Sequence, residues 1–275
     1  MKRNEKMNRN ETNMRIDDSL ILDYLSEQDI SQDWIFYNLV PGEYKFEKPE
    51  VSRYELMDLN ELVKDNLINF RPLNQEFFDE VFPDWKNTFE NDLNIRLIVG
   101  CPYPFDAMTR IKDGEQVIIF DLNRINTSDP DNVIMSIRRL VTHELFHALY
   151  AKDSRNVQDV EADKAALDAN AAYQDELLQL LFDEGFAHYL SVYDILKTNY
   201  QNFREEHYER NFSKLNAALE EKDPDKQKQF MIEASAGSFF DKFAAITGMF
   251  ILIDNEAKLV QIYNDGYAKF LEKAN

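Results

Sequence analysis

Apolar positions recur along this chain first at short, irregular intervals and then, in its second half, with a sustained helical period. Leu56, Leu59, Leu62, Val63 and Leu67 fall on one face of a 3.6-residue turn and predict an amphipathic helix. Shorter apolar groups at Leu20–Leu22, Trp34–Tyr37 and Phe77–Phe82 alternate with acidic clusters. They predict two or three helices between Ile16 and Trp85, with a loop around Val40-Pro41-Gly42. Residues 1–16 are polar and without period, and are expected to form a flexible tail.

The pattern then changes to period two. Ile95–Val99 is a β-rich run closed by Gly100-Cys-Pro-Tyr-Pro104, and residues 107–111 and 116–122 flank the turn Lys112-Asp113-Gly114-Glu115. Asp-Gly between two such runs predicts a hairpin. Val117-Ile118-Ile119-Phe120 is apolar on both faces, so helices are expected to cover that strand.

Ser128-Asp129-Pro130-Asp131 reads as a helix start, with an oxygen-bearing cap, a first-turn proline and acids near the positive end of the dipole. The helix is expected to reach Tyr150, its core stripe being Ile134, Ile137, Val141, Leu145 and Ala148. An acidic, alanine-rich connection (159–172) leads to helices expected over 174–198, 202–222 (closed by Asp223-Pro224), 226–253 with a break near Ala236-Gly237, and 255–273. The reading is an α+β, predominantly α fold: a small mixed sheet, then an all-α half. Its expected organisation is a tail (1–16), an α/β subdomain (17–127) and a helical subdomain (128–275), sharing one core with the site between them.

Composition narrows the functions. Fifty-one acids against 31 bases give a net charge of −20, which argues against nucleic acid and anionic membrane as partners. The longest apolar run, Phe243–Ile253, is too short to span a bilayer and reads as a buried helix. With Cys101 as the single cysteine no internal disulfide forms, and the first residues lack the apolar core of a signal peptide. A cytoplasmic location is expected.

The candidate chemistry lies in Val141-Thr-His-Glu-Leu-Phe-His-Ala-Leu-Tyr150. His143 and His147, four residues apart, project from one face of a helix and can supply two ligands to zinc. Glu144 stands where a carboxylate can take a proton from a metal-bound water. A pair of core histidines would give the same pattern without a metal. A catalytic zinc takes a third protein ligand, and two residues compete. Glu184, in Phe182-Asp-Glu-Gly-Phe-Ala-His-Tyr189, is followed by Gly185 inside a predicted helix, where glycine costs about 1 kcal/mol against alanine. The close approach of a neighbouring helix would account for it. Asp153 has the spacing of more compact sites, but Tyr150 stands where those need a turn-forming glycine.

His143-Glu-x-x-His147 together with Glu184-Gly-x-Ala187 resembles the gluzincin metallopeptidases, and most closely their bacterial branches of predicted zinc-dependent proteases. The likeness covers residues 116–193, with a fainter echo from Ala236-Gly-Ser-Phe-Phe240 to Ile253; it does not reach the first 90 residues. It implies a zincin-like fold and zinc held by His143, His147 and Glu184. It further implies peptide-bond hydrolysis by a metal-bound water, with Glu144 as general base and then acid. Gln116–Leu122 is the strand beside which an extended peptide would lie, or else a central core strand. His188 stands where thermolysin-like members place an aspartate that supports the first histidine; on the same helical face as Glu184, it could be a partner of the histidines, a substrate-facing donor, a surface residue, or a metal ligand in place of Glu184. Tyr189, His188, Tyr193 and His207 are candidate oxyanion donors. The alternative is a catalytically inactive zincin-like binding or regulatory protein.

Overall fold

The computed structural model of the protein describes residues 15–91, 93–103, 105–125, 130–153 and 168–274. Four strands form the main sheet in the order β1 (Arg15–Asp17), β4 (Asn94–Ile98), β6 (Glu115–Asp121), β5 (Ala107–Lys112). β1 and β6 run parallel to β4, and β5 returns antiparallel to β6 through the expected Asp113-Gly114 turn. β1 starts at Arg15, inside the stretch expected as tail; residues 1–14 lie outside those described. β2 (Tyr37–Val40) and β3 (Glu43–Tyr44) make a separate two-stranded ribbon, so the loop expected at Val40-Pro41-Gly42 is its turn.

This order decides between the two roles expected for Gln116–Leu122. β6 lies between β4 and β5 and is buried from Val117 to Asp121, so it is a central strand. β5 is the edge. Polar and charged residues on β5 (Thr109, Arg110, Lys112) hid that role and made β6, the more apolar strand, the more conspicuous of the two. Side chains alternate across the sheet. Met108, Arg110 and Lys112 share the face of Arg96 and Ile119, where Arg96, Arg110 and Lys112 stand 5.3–5.9 Å from the Trp34 ring. Thr109 points to the opposite face.

The opposite face is covered by helix. α1 (Ser19–Leu25), α2 (Arg53–Ile68), α3 (Gln75–Val81) and α4 (Trp85–Asn91) precede or interleave with the sheet. α2 is closed at its start by a reciprocal Ser52–Glu55 capping box and buries Leu56, Leu59, Val63 and Leu67, four of the five residues of its predicted stripe. α5 (Pro130–Lys152) follows the sheet; its expected Ser128-Asp129 cap lies outside the described residues. Then come α6 (Ala169–Leu196), α7 (Tyr200–Glu220), α8 (Pro224–Ser235), α9 (Phe243–Asp254) and α10 (Leu259–Asp265). Asp223 caps α8 and Pro224 is its first residue, so this pair opens one helix as well as ending another. The break expected near Ala236-Gly237 is present. Past Asn255 the expected single helix is instead α10 flanked by 3-10 turns, interrupted by Gly266 in the left-handed region at φ +79°.

The architecture is therefore α+β and mainly α, with buried side chains in one cluster from Leu20 to Phe270. The loop before α3 clamps two of the later helices. Leu73 N–H donates to Thr142 Oγ1 on α5 at 3.0 Å, and Asn74 Nδ2 donates to the Leu190 carbonyl on α6 at 2.8 Å. α9 is buried at every position from Phe243 to Ile253. No helix among the described residues is long and apolar enough to cross a membrane.

α6 and α9 touch backbone to backbone. A Cβ on Gly185 would lie 2.8 Å from Gly248 Cα, and one on Gly248 would lie 2.2 Å from the Leu181 carbonyl oxygen. This is the close helix approach that the glycine beside Glu184 predicts. Each methyl would overpack the crossing, which typically costs 1–3 kcal/mol and more against backbone. Gly248→Ala should therefore lower unfolding stability by about 3 kcal/mol despite alanine's higher helix propensity. A denaturant midpoint equal to that of the unmodified protein would contradict the contact.

Candidate metal centre

Two helices supply the site because each is buried nearly all round. From Val141 to Tyr150, α5 is buried at every residue except His143 and His147, whose side chains are 20% and 17% exposed. From Leu181 to Leu190, α6 is buried except at Asp183 and Glu184, 27% and 18% exposed. These four side chains form a polar opening in an otherwise apolar helix pair. Behind it Phe146 stacks on Phe186 at 5.6 Å, and Tyr263 packs against Phe146, Phe182 and Phe186. The aromatic cluster fixes the helix separation.

The two imidazoles meet at their Nε2 atoms, 3.0 Å apart. Glu184 faces both, Oε2 lying 3.8 Å from His143 Nε2 and Oε1 3.9 Å from His147 Nε2. His147 Nδ1 lies 2.9 Å from Asp183 Oδ1. An ionised carboxylate only accepts, so Nδ1 carries a proton and Nε2 is the nitrogen turned to the centre. Burial pushes His147 down, but the carboxylates of Asp183, Glu184 and Glu144 outweigh it and raise the imidazole to about 10. Burial, with the charges of His147 and His188, holds His143 well below its ordinary value, so it is the acceptor of the pair. Burial alone would raise Glu184; the His188 side chain and the charges of His147 and His143 prevail and keep it ionised.

This donor set suits zinc. In a tetrahedral site with metal–nitrogen bonds near 2.0–2.1 Å, neighbouring ligand atoms lie ~3.3 Å apart, so Glu184 need advance by only about 0.5 Å. An aspartate behind a ligating histidine is the usual support of such a nitrogen.

His188 is a fifth polar group here, and one ligand atom each of His143, Glu184 and His188 lie within 4.8 Å of one another. Two ligand triads thus share His143 and Glu184. His188 Nδ1, however, donates to the carbonyl of Glu184 at 2.9 Å and sits 3.4 Å from its Oε2. That nitrogen is occupied as a donor, as Nδ1 of His147 is toward Asp183, so either imidazole has its Nε2 left to accept. Asp153 accepts a hydrogen bond from Tyr263 at 2.9 Å, on the side of the aromatic cluster. Tyr189 stacks on Tyr193, whose hydroxyl donates to Glu256, and His207 stacks on Phe240 at 3.9 Å.

Glu144 points the other way, toward the sheet. It is 5% exposed, and Thr109 Oγ1 on edge strand β5 donates to its Oε2 at 2.8 Å. Burial is the main cause that lifts its carboxyl to about 7, opposed in part by the charge of His147 and by the Thr109 hydroxyl. A carboxylate in this state can both take and return a proton near neutrality. Thr109 and Asp183 were missed by sequence reasoning. Asp183 adjoins Glu184 in Asp-Glu-Gly, and its position beside a ligand candidate was the available signal; Thr109 had none, because only the strand order brings it to α5.

With fold and site in place, the class is that of a mainly helical α+β protein with a His/Glu/His group that could hold a metal ion. The chain belongs to the family described as "Putative zinc dependent peptidase (DUF5700)", whose model matches residues 2–264. No curated protein and no solved structure matches it.

Asp183→Asn should keep the fold but release His147 Nδ1 from its charged partner, weakening zinc binding by about 10–100-fold in competition with a chelator. Affinity equal to that of the unmodified protein would leave Asp183 no part in orienting the site.

Proposed function

We propose that the protein is a gluzincin-type zinc metallopeptidase in which His143, His147 and Glu184 hold the ion and Glu144 is the general base. The observation that carries this reading is the position of Glu184: its carboxylate faces both imidazoles of the HExxH turn, while Glu144 on the same turn is turned aside to a buried, proton-exchanging place. A structural site needs no such base, which weighs against an inactive binding protein.

When bound, zinc supplies Lewis-acid polarisation of water and of the scissile carbonyl. The protein's own groups do the rest. Glu144 takes one proton from the attacking water as its oxygen bonds to the carbonyl carbon and the π pair moves onto the carbonyl oxygen. When that pair returns and the carbon–nitrogen bond breaks, Glu144 passes the proton to the leaving nitrogen. Thr109 holds the carboxylate in place and lowers the cost of its charge. β5 has no strand beyond it in the described sheet, so a peptide can add there as a further strand, close to Glu144.

Two measurements test the reading. Glu144→Gln should retain about one zinc per chain and lose hydrolysis of a mixed peptide library by several orders of magnitude, because an amide cannot accept the proton; unchanged turnover removes Glu144 from the mechanism. Glu184→Ala should lose most of its zinc in elemental analysis while Asp153→Ala keeps it, and the reverse result would move the third ligand to Asp153.

A further inference from the structure

The protein carries a net charge of −20, yet the edge strand β5 presents cations on the face turned away from Glu144. Arg110 and Lys112 alternate with Thr109 and Ile111 along the strand, so they share one face of the sheet while Thr109 meets Glu144 on the other. Trp34 lies against the basic face. Its ring centre is 5.3 Å from the Arg110 guanidinium carbon, 5.6 Å from Lys112 Nζ and 5.9 Å from the Arg96 guanidinium carbon.

The three cations differ in what neutralises them. Arg96 is paired with Asp33 at 2.9 Å and with Asp17 at 3.4 Å. Among the described residues Lys112 has its neighbour Asp113, 3.6 Å away and 83% exposed, a pair worth little in water. Arg110 pairs with no carboxylate among the described residues, in a chain of 51 acids. Its Nη1 donates instead to the backbone carbonyls of Ile35 at 2.8 Å and Tyr37 at 3.4 Å. These bonds and the Trp34 ring together fix the plane of the guanidinium. Nε and Nη2, a donor pair that fits both oxygens of a carboxylate, have no acceptor among the described residues. A charge that merely discourages strand pairing at a sheet edge needs neither an aromatic platform nor an anchored plane.

We propose that Arg110 is a specificity-determining group that selects peptides with an aspartate or glutamate at the position paired beside it; this rests on the peptidase reading above, in which substrate adds to β5 as a strand. Directly paired residues of neighbouring strands share a face, with Cβ atoms about 5 Å apart. The peptide residue beside Arg110 therefore turns its side chain to the Trp34 side, within reach of the two open donors, and Lys112 stands diagonal to it. The adjacent peptide residue turns to Thr109 and Glu144, so the acidic position is fixed relative to the bond that is cut. A basic side chain in the same place meets Arg110 and Lys112, and like charges reject it.

The test is product sequencing from a mixed peptide library cut by the zinc-loaded protein, then kinetics on versions of one cleaved peptide with Glu, Gln or Lys at the selected position. Wild type should enrich Asp and Glu at one fixed distance from the cut. It should favour the Glu peptide over the Gln peptide by about 10-fold in kcat/KM, the worth of a hydrogen bond to a charged group. Arg110→Gln should abolish that preference while cutting the Gln peptide within about 3-fold of wild type, and Arg110→Glu should move the preference to the Lys peptide. Lys112→Glu breaks no side-chain hydrogen bond and carries the test if the Arg110 variants do not fold. It should lower the preference for Glu over Lys by about 3-fold, and an unchanged preference would then count against the assignment. A wild type that cuts peptides with no acidic preference at any fixed position, or a preference that survives Arg110→Gln, overturns the assignment and leaves the peptidase reading standing. A zinc-loaded wild type that cuts no peptide in the library overturns both.

Discussion

The contact between Gly185 and Gly248 sets the depth at which α6 lies in the molecule, and the site depends on that depth. Two backbones that touch leave no room for side chains between them. Glu184 stands one residue before the contact, so its carboxylate is delivered at a fixed height against the two imidazoles of α5. Phe146, Phe182, Phe186 and Tyr263 fix the remaining direction by filling the space behind both helices. A glycine pair and an aromatic wedge together define where three polar side chains can meet.

A frame this apolar makes each polar group in it costly unless partnered, and the partners found here also set the chemistry. Asp183 fixes which nitrogen of His147 is turned inward, and His188 steers the Glu184 carboxylate. Thr109 gives Glu144 one hydrogen bond, enough to place it but not enough to offset its burial, and its carboxyl stays near neutrality. Fewer partners would leave Glu144 protonated in its pocket; an arginine there would make it too weak a base.

Much of this was legible in the chain. A repeat of 3.6 marked α2 and α5, Asp113-Gly114 marked the hairpin, and Gly185 announced a close helix crossing before its partner was known. The part that stayed hidden is long-range. β1 is three residues with no pattern of its own and exists only through its pairing with β4. The edge strand could not be told from the central one, because hydrophobicity marks burial and not order in a sheet. Thr109 reaches Glu144 across 35 positions, where no local rule connects them. The helix expected over 255–273 failed for a local reason: Gly266 takes a left-handed conformation that ends α10 early.

The central claim is that the α5–α6 crossing places His143, His147 and Glu184 around one ion. Anomalous diffraction at the zinc absorption edge, from crystals of the zinc-loaded protein, tests it directly. The account predicts one strong peak about 2.0–2.2 Å from His143 Nε2, His147 Nε2 and a Glu184 carboxylate oxygen. A peak ligated by His188 in place of His147, or by Asp153 with Glu184 turned to solvent, would contradict it.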